Sequence, residues 1–127
     1  MNIKSSQTLV QEALKVVETI TPEDALKKLE KKQCSLIDIR DALELQREGT
    51  IENSFHIPRG LLEFLIHPES AYMEKEKMDL NKEIVLFCAA GGRSALAAKT
   101  LKDIGFEKVS HVAGGFNLMK RCGFKTK

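Results

Sequence analysis

The chain has 127 residues, the length of one compact domain, enough to bury roughly two-thirds of its unfolded surface without disulfide staples. Hydrophobic residues at 43% and charged residues at 30% exclude collagen-like, low-complexity and wholly disordered chains. A net charge of +2, no Trp and a single Tyr supply neither a basic field nor a stacking platform for nucleic acid, and no pull toward acidic membranes.

Leu9, Ala13, Val16, Val17 and Ile20 recur at helical spacing and predict an amphipathic helix near residues 5–18. We expect this N-terminal segment, residues 1–19, to pack on a single domain formed by residues 20–127. Thr21-Pro22-Glu23-Asp24 reads as a fresh helix start: Thr21 caps, Pro22 fits the first helical position, and acids follow in the first turn. Ala25, Leu26 and Leu29 give that helix its apolar side, and Lys31-Lys32 end it. Residues 35–40, Ser-Leu-Ile-Asp-Ile-Arg, form a strand candidate. Asp41 and Glu44 then make a capping box for a short helix that Gly49 stops.

Residues 54–57 predict a brief strand limited by Pro58, and 61–66 a short apolar helix. Residues 67–82 are polar and read as a loop or frayed helix. Ile84-Val85-Leu86-Phe87 is a continuous apolar run, as in a strand buried on both faces. Ala97, Leu101 and Ile104 mark the next helix, closed by Gly105. Residues 108–112 are the last strand, and Ala113-Gly114-Gly115-Phe116 leads into a terminal helix. Lys120, Arg121, Lys125 and Lys127 read as a solvated tail. Strands alternating with helices favour an α/β fold with a parallel sheet.

No apolar run approaches the roughly 18 residues of a membrane span, and the N-terminus lacks a secretory h-region. Cys34, Cys88 and Cys122 include no CxxC pair, which argues against a disulfide framework or zinc ribbon and suits a reduced, cytoplasmic chain. His56, His67 and His111 show no ligand spacing, so no metal or other cofactor is expected. His56 and His111 read as satisfied strand residues.

The chemical content lies at Cys88-Ala89-Ala90-Gly91-Gly92-Arg93-Ser94, a small-residue loop between a buried strand and a helix. Such a loop sits where open α/β sheets bind ligands. Its backbone N–H groups can turn inward as an anion-binding concavity, the following helix adds its positive end, and Arg93 adds a fixed charge. All three favour a thiolate at Cys88, the form that acts as nucleophile. An inert buried Cys in an ordinary strand-to-helix turn is the bland alternative.

At this segment the chain resembles the rhodanese family of single-domain sulfurtransferases. Asp38-Ile39-Arg40 resembles the family's Asp-x-Arg element. Residues 48–51 with 54–58 resemble its Gly-His-Ile…Ile-Pro stretch, and Ala113-Gly114-Gly115-Phe116 its late Gly-Gly turn. Order and spacing agree from about residue 20 to 124, and residues 58–64 resemble a bacterial single-domain subgroup. Three positions depart from the pattern: Thr50 stands where His is common, Phe116 where the aromatic is often Trp, and no charged residue follows Cys88 directly.

The resemblance implies a rhodanese-like three-layer fold, with a mostly parallel central sheet and helices on both faces. It implies a Cys88 persulfide, loaded from thiosulfate or another persulfide and unloaded onto cyanide or a thiol acceptor. Ala89, Ala90, Gly91, Gly92, Arg93, Ser94 and Arg59 are then expected to contact substrate, with Asp38 and Arg40 in support. The expected partners are a small-molecule sulfur donor and a thiol or protein acceptor, with no nucleic acid and no membrane, in a monomer or weak homodimer. A catalytically silent partner-binding module is the rival from another class. Related phosphatases and arsenate reductases use Cys-x5-Arg, whereas Cys88-x4-Arg93 is one residue shorter, which disfavours a tetrahedral-oxyanion cradle. Cys122 as a second, resolving thiol is the sharper alternative to an incidental surface Cys.

Overall fold

A computed structural model describes all residues, 1–127. The elements run α1 (Ser6–Leu14), β1 (Glu18–Ile20), α2 (Pro22–Glu30), β2 (Cys34–Asp38), α3 (Ala42–Glu48), β3 (Phe55–His56), a 3-10 turn (Arg59–Leu61), α4 (Leu62–Leu65), α5 (Ala71–Glu76), β4 (Glu83–Phe87), α6 (Gly92–Ile104), β5 (Val109–Val112) and α7 (Gly115–Met119). The five strands form one sheet in the order β1-β5-β4-β2-β3, every pair parallel. No helix is long and apolar enough to cross a membrane.

β4 is the central strand because it alone needs no polar face: residues 84–87 are fully buried. Side chains alternate across the sheet, so Ile84 and Leu86 join Ile37, Ile39, Ala97, Ala98 and Leu101 on the α6 side. Val85 and Phe87 join Leu36, Val112, Ala25, Phe116 and Met119 on the α2 and α7 side. Two apolar layers thus sandwich the sheet, giving a three-layer α/β architecture. The connection leaving β2 leads outward to β3, whereas the one leaving β4 leads to β5 on the other side. Their loops diverge at the carboxyl ends of β2 and β4, and that divergence opens the crevice where α/β folds bind ligands.

Local signals placed several elements well. Thr21 Oγ1 accepts the Asp24 N–H at 3.1 Å, and Asp41 with Glu44 forms the expected capping box before α3. Three elements differ from expectation. The N-terminal helix ends at Leu14, and Glu18–Ile20 turns into edge strand β1, paired through Thr19 with His111. The supposed division between residues 19 and 20 therefore falls inside a strand of the sheet. Residues 67–82 contain a true helix, α5, capped by Ser70 and anchored by buried Met73. The C-terminal residues are no free tail: Thr50 N donates to Lys127 O at 3.0 Å, Lys127 N to Thr50 O at 2.9 Å, and Phe124 is buried. That backbone pairing satisfies groups that a solvated tail would leave to water. α1 lies against α6, where Lys102 Nζ donates to Val16 O at 2.7 Å.

Candidate active site

Cys88 follows β4 at the carboxyl end of the sheet and is 1% exposed. Its Sγ receives the Gly91 N–H at 3.1 Å and the Ser94 N–H at 3.3 Å, and lies 3.5 Å from Ser94 Oγ. The first N–H groups of any helix lack partners within it, and Ser94 in the first turn of α6 spends its own on this sulfur. Gly91 reaches the required backbone only at φ +114°, in the region that favours glycine.

The loop is held from outside by α7. Phe116 N donates to Cys88 O at 2.7 Å and Asn117 N to Ala89 O at 3.1 Å. Because a trans peptide points its N–H opposite its C=O, these bonds turn the Ala89 and Ala90 N–H groups away from α7. Ala95 N likewise takes Gly91 O, so the Gly92 N–H points out of the helix start. None of these three N–H groups is taken up by α7 or by the helix ladder.

Gly115 makes this docking close. A Cβ there would collide with Cys88 O, at φ +54°. Gly115→Ala is therefore expected to cost about 2–3 kcal/mol of stability through strain and overpacking, and to loosen the loop. Urea unfolding of the variant beside the wild type checks this; an unchanged midpoint would show that the loop does not rest on this contact.

Arg93 reaches from α6 to α3. Its guanidinium makes a forked pair with Glu44 of α3, at 2.7 and 3.0 Å, bridging the two connections that flank the crevice. Arg93 holds the Glu44 carboxyl down at about 2, so the pair stays ionised through the neutral range. Arg59 is placed elsewhere. It bonds Glu63 at 3.0 Å and Thr100 Oγ1 at 3.1 Å. Thr100 lies about 12 Å along α6 from the helix start, by helix rise, so the structure does not bring the Arg59 guanidinium to the Cys88 loop.

Asp38 and Arg40 are both wholly buried. Arg40 Nη2 donates to Asp38 Oδ2 at 2.8 Å and to Gly49 O at 2.7 Å, Nε to Asp38 Oδ1 at 3.1 Å, and Nη1 to Glu48 at 3.2 Å. The guanidinium stacks on Phe116, 4.1 Å from the ring centroid. Thr50 Oγ1 donates to Asp38 Oδ2 at 2.7 Å, so this departure from the family pattern still supplies a hydrogen-bond donor. No buried side-chain polar atom lacks a partner.

The other cysteines differ from Cys88. Burial pushes the Cys34 thiol up to about 11, which keeps it protonated and inert. Partial desolvation and then the Glu23 carboxylate push the Cys122 thiol up. No three His, Cys, Asp or Glu side chains converge as metal ligands.

Two features escaped the sequence reading. Glu44 signalled only a helix cap, yet it also holds Arg93. His111 read as a strand residue, yet its Nδ1 lies 2.9 Å from Ser94 Oγ and its Nε2 lies 2.8 Å from Thr19 Oγ1.

The Rhodanese-like domain family model matches residues 21–122. A mouse thiosulfate sulfurtransferase/rhodanese-like domain-containing protein is 35% identical over 92 residues, 69% of this chain and 59% of the mouse protein. The tRNA uridine(34) hydroxylase of Escherichia fergusonii is 37% identical over 79 residues, 62% of this chain but only 21% of the hydroxylase. The chain thus spans between about a fifth and three-fifths of the length of these relatives. Among solved structures, a Rhodopseudomonas palustris protein of unknown function, for which tyrosine phosphatase activity has been suggested, superposes with TM-score 0.86. It is 36% identical, covering 100% of this chain and 97% of that one. The homodimeric polysulfide-sulfur transferase of Wolinella succinogenes superposes with TM-score 0.74 at 32% identity, covering 95% and 85%. The fold, the four-residue loop from Cys88 to Arg93 and these matches agree: the chain belongs to the rhodanese-like domain family.

Proposed function

We propose that this chain is a sulfurtransferase that carries sulfane sulfur as a Cys88 persulfide. The observation that carries the reading is the pair of backbone donors, Gly91 N–H and Ser94 N–H, directed at Cys88 Sγ. Donors fixed around a sulfur stabilise an anion there without reorganising. The Cys88 thiolate attacks the outer sulfur of thiosulfate or of a persulfide. A new S–S bond forms to Cys88, the donor's own S–S bond breaks, and sulfite or a thiolate leaves with the electron pair. A thiolate or cyanide then attacks the outer sulfur, and Cys88 leaves as thiolate, ready for another cycle.

The recessed sulfur suits a donor that presents its sulfur at the tip of a slender group. Ala89, Ala90, Gly91 and Gly92 line the approach with backbone, and Arg93 contributes charge at the rim while paired to Glu44. The loop from Cys88 to Arg93 is also one residue shorter than the Cys-x5-Arg pattern of a phosphate cradle. The relatives named for sulfur transfer support the same class of partner.

Reduced protein incubated with thiosulfate, or with a small-molecule persulfide, is expected to gain about one sulfur atom in intact mass. Peptide mapping places the addition on Cys88, and cyanide removes it. No gain with either donor overturns the proposal.

A further inference from the structure

The thiol proton of a buried cysteine has to leave, and the mouth of the loop is where the sulfur donor arrives. The structure offers another route. Cys88 Sγ, Ser94 Oγ, the His111 imidazole and Thr19 Oγ1 form an unbroken file, with steps of 3.5, 2.9 and 2.8 Å. Its inner members are buried, whereas Thr19 on edge strand β1 is exposed. We propose that His111 is a positioning residue for the Cys88 sulfur: it aims the Ser94 hydroxyl at the thiolate and, through Thr19, passes the thiol proton to solvent. This inference rests on the persulfide reading above and names the side chains behind its nucleophile.

The proton count is complete. In the thiol form Cys88 S–H donates to Ser94 Oγ, Ser94 O–H to His111 Nδ1, and His111 Nε2–H to Thr19 Oγ1. Ionisation moves one proton along each step. The S–H bond breaks and a new Ser94 O–H forms, Ser94's former proton binds Nδ1, Nε2 releases its proton to Thr19, and Thr19 yields one to water. The file then runs in reverse. His111 Nδ1–H donates to Ser94 Oγ, and the Ser94 proton that came from Cys88 points back at the sulfur anion. Accepting a hydrogen bond makes a hydroxyl a better donor, so His111 strengthens the bond that holds the thiolate. Without it, Ser94 O–H has Gly91 O at 3.2 Å as an alternative acceptor.

Burial holds the imidazole below its ordinary range, which suits a neutral ring that can switch tautomers. No charged group faces it. From β1 it meets Thr19, while Glu18 points to the opposite face. From β4 its register partner is Leu86, and Glu83 lies on the other face with Lys28 and Ser110. From α6 it meets Ser94; Arg93 is bound to Glu44, and Lys99, Lys102 and Asp103 are exposed. On α1, Glu12 is paired with Lys4.

The test is the pH–rate profile for alkylation of Cys88 by iodoacetamide, followed on the Cys88 peptide by mass. Alkylation needs no sulfur donor, so a protein that fails to take up sulfur still answers it. His111→Leu is expected to move the midpoint of the profile upward by about 1 pH unit, close to tenfold less thiolate at a given pH below the midpoint. In a Ser94→Ala background the same change is expected to add nothing, because the effect acts through that hydroxyl. His111→Asn, which can still offer an N–H to Ser94, is expected to recover part of the shift. Thr19→Val keeps a β-branched side chain on an exposed edge strand, and is expected to move the midpoint the same way by roughly a third of a unit. A folded His111→Leu with the wild-type profile overturns the proposal, as does a shift that persists undiminished without Ser94. Should His111→Leu not fold, an unmoved profile in Thr19→Val overturns it instead.

Discussion

Cys88→Ser should take up sulfur from thiosulfate or a persulfide at least roughly 10³-fold more slowly than the wild type, while remaining folded. A serine hydroxyl ionises far above neutral pH, and the loop's donors cannot make up that difference. The fold tolerates the change because Ser at this position still accepts the Gly91 and Ser94 N–H groups, now directed at Cys88 Sγ. With both donors satisfied, the stability change stays within about 1 kcal/mol. Stopped-flow or discontinuous thiocyanate assays, with a thermal melt alongside, measure both quantities. If Cys88→Ser kept a tenth of the wild-type rate, the sulfur would have to travel on Cys34 or Cys122. Cys34 is a poor candidate, since burial keeps its thiol protonated up to about 11.

Arg40→Leu should remove about 3–5 kcal/mol of folding free energy, the cost of stranding a buried charge. Asp38 is wholly buried, and Arg40 supplies its opposite charge through Nε and Nη2. The substitution leaves that carboxylate only neutral donors, namely the backbone N–H of residue 40 and Thr50 Oγ1. It also removes the cation stacked on Phe116. Because Phe116 N holds Cys88 O, the damage reaches the Cys88 loop as well as the core. Arg40→Lys should fall between, since an ammonium cannot fork to Asp38 and Gly49 O together. The double change Asp38→Asn with Arg40→Met should cost less than Arg40→Leu alone, because no unpaired charge remains. Urea denaturation orders the three variants; a loss below 1 kcal/mol in Arg40→Leu would mean that Asp38 does not depend on this partner.

Where the signal is carried by neighbours in the chain, the sequence alone determined the outcome. The unbroken apolar run at 84–87 reads as a strand covered on both faces, and it lies in β4. Thr21 before Pro22, and Asp41 three residues before Glu44, place helix starts because a cap works within one turn. The small residues from Ala89 to Gly92 leave room for a tight loop with inward N–H groups. Cys88 was thereby legible as the nucleophile candidate, in a loop one residue shorter than the Cys-x5-Arg pattern.

The tertiary structure decided whatever depends on partners far apart in the chain. Val16, Val17 and Ile20 match a helical stripe, yet Glu18–Ile20 is a strand because β5 offers an open edge to pair with. A three-residue segment carries too little periodicity to announce such pairing. Lys125 and Lys127 look like tail residues, but the backbone beside Thr50 and Glu52 takes up their carbonyls. Arg93 found Glu44 49 positions away, and His111 met Thr19 92 positions away. Propensity, capping and burial pattern act over a few residues, whereas strand order and helix packing bring the distant groups together. The nucleophile candidate could therefore be read from its own loop, and the side chains packed around it only from the folded sheet.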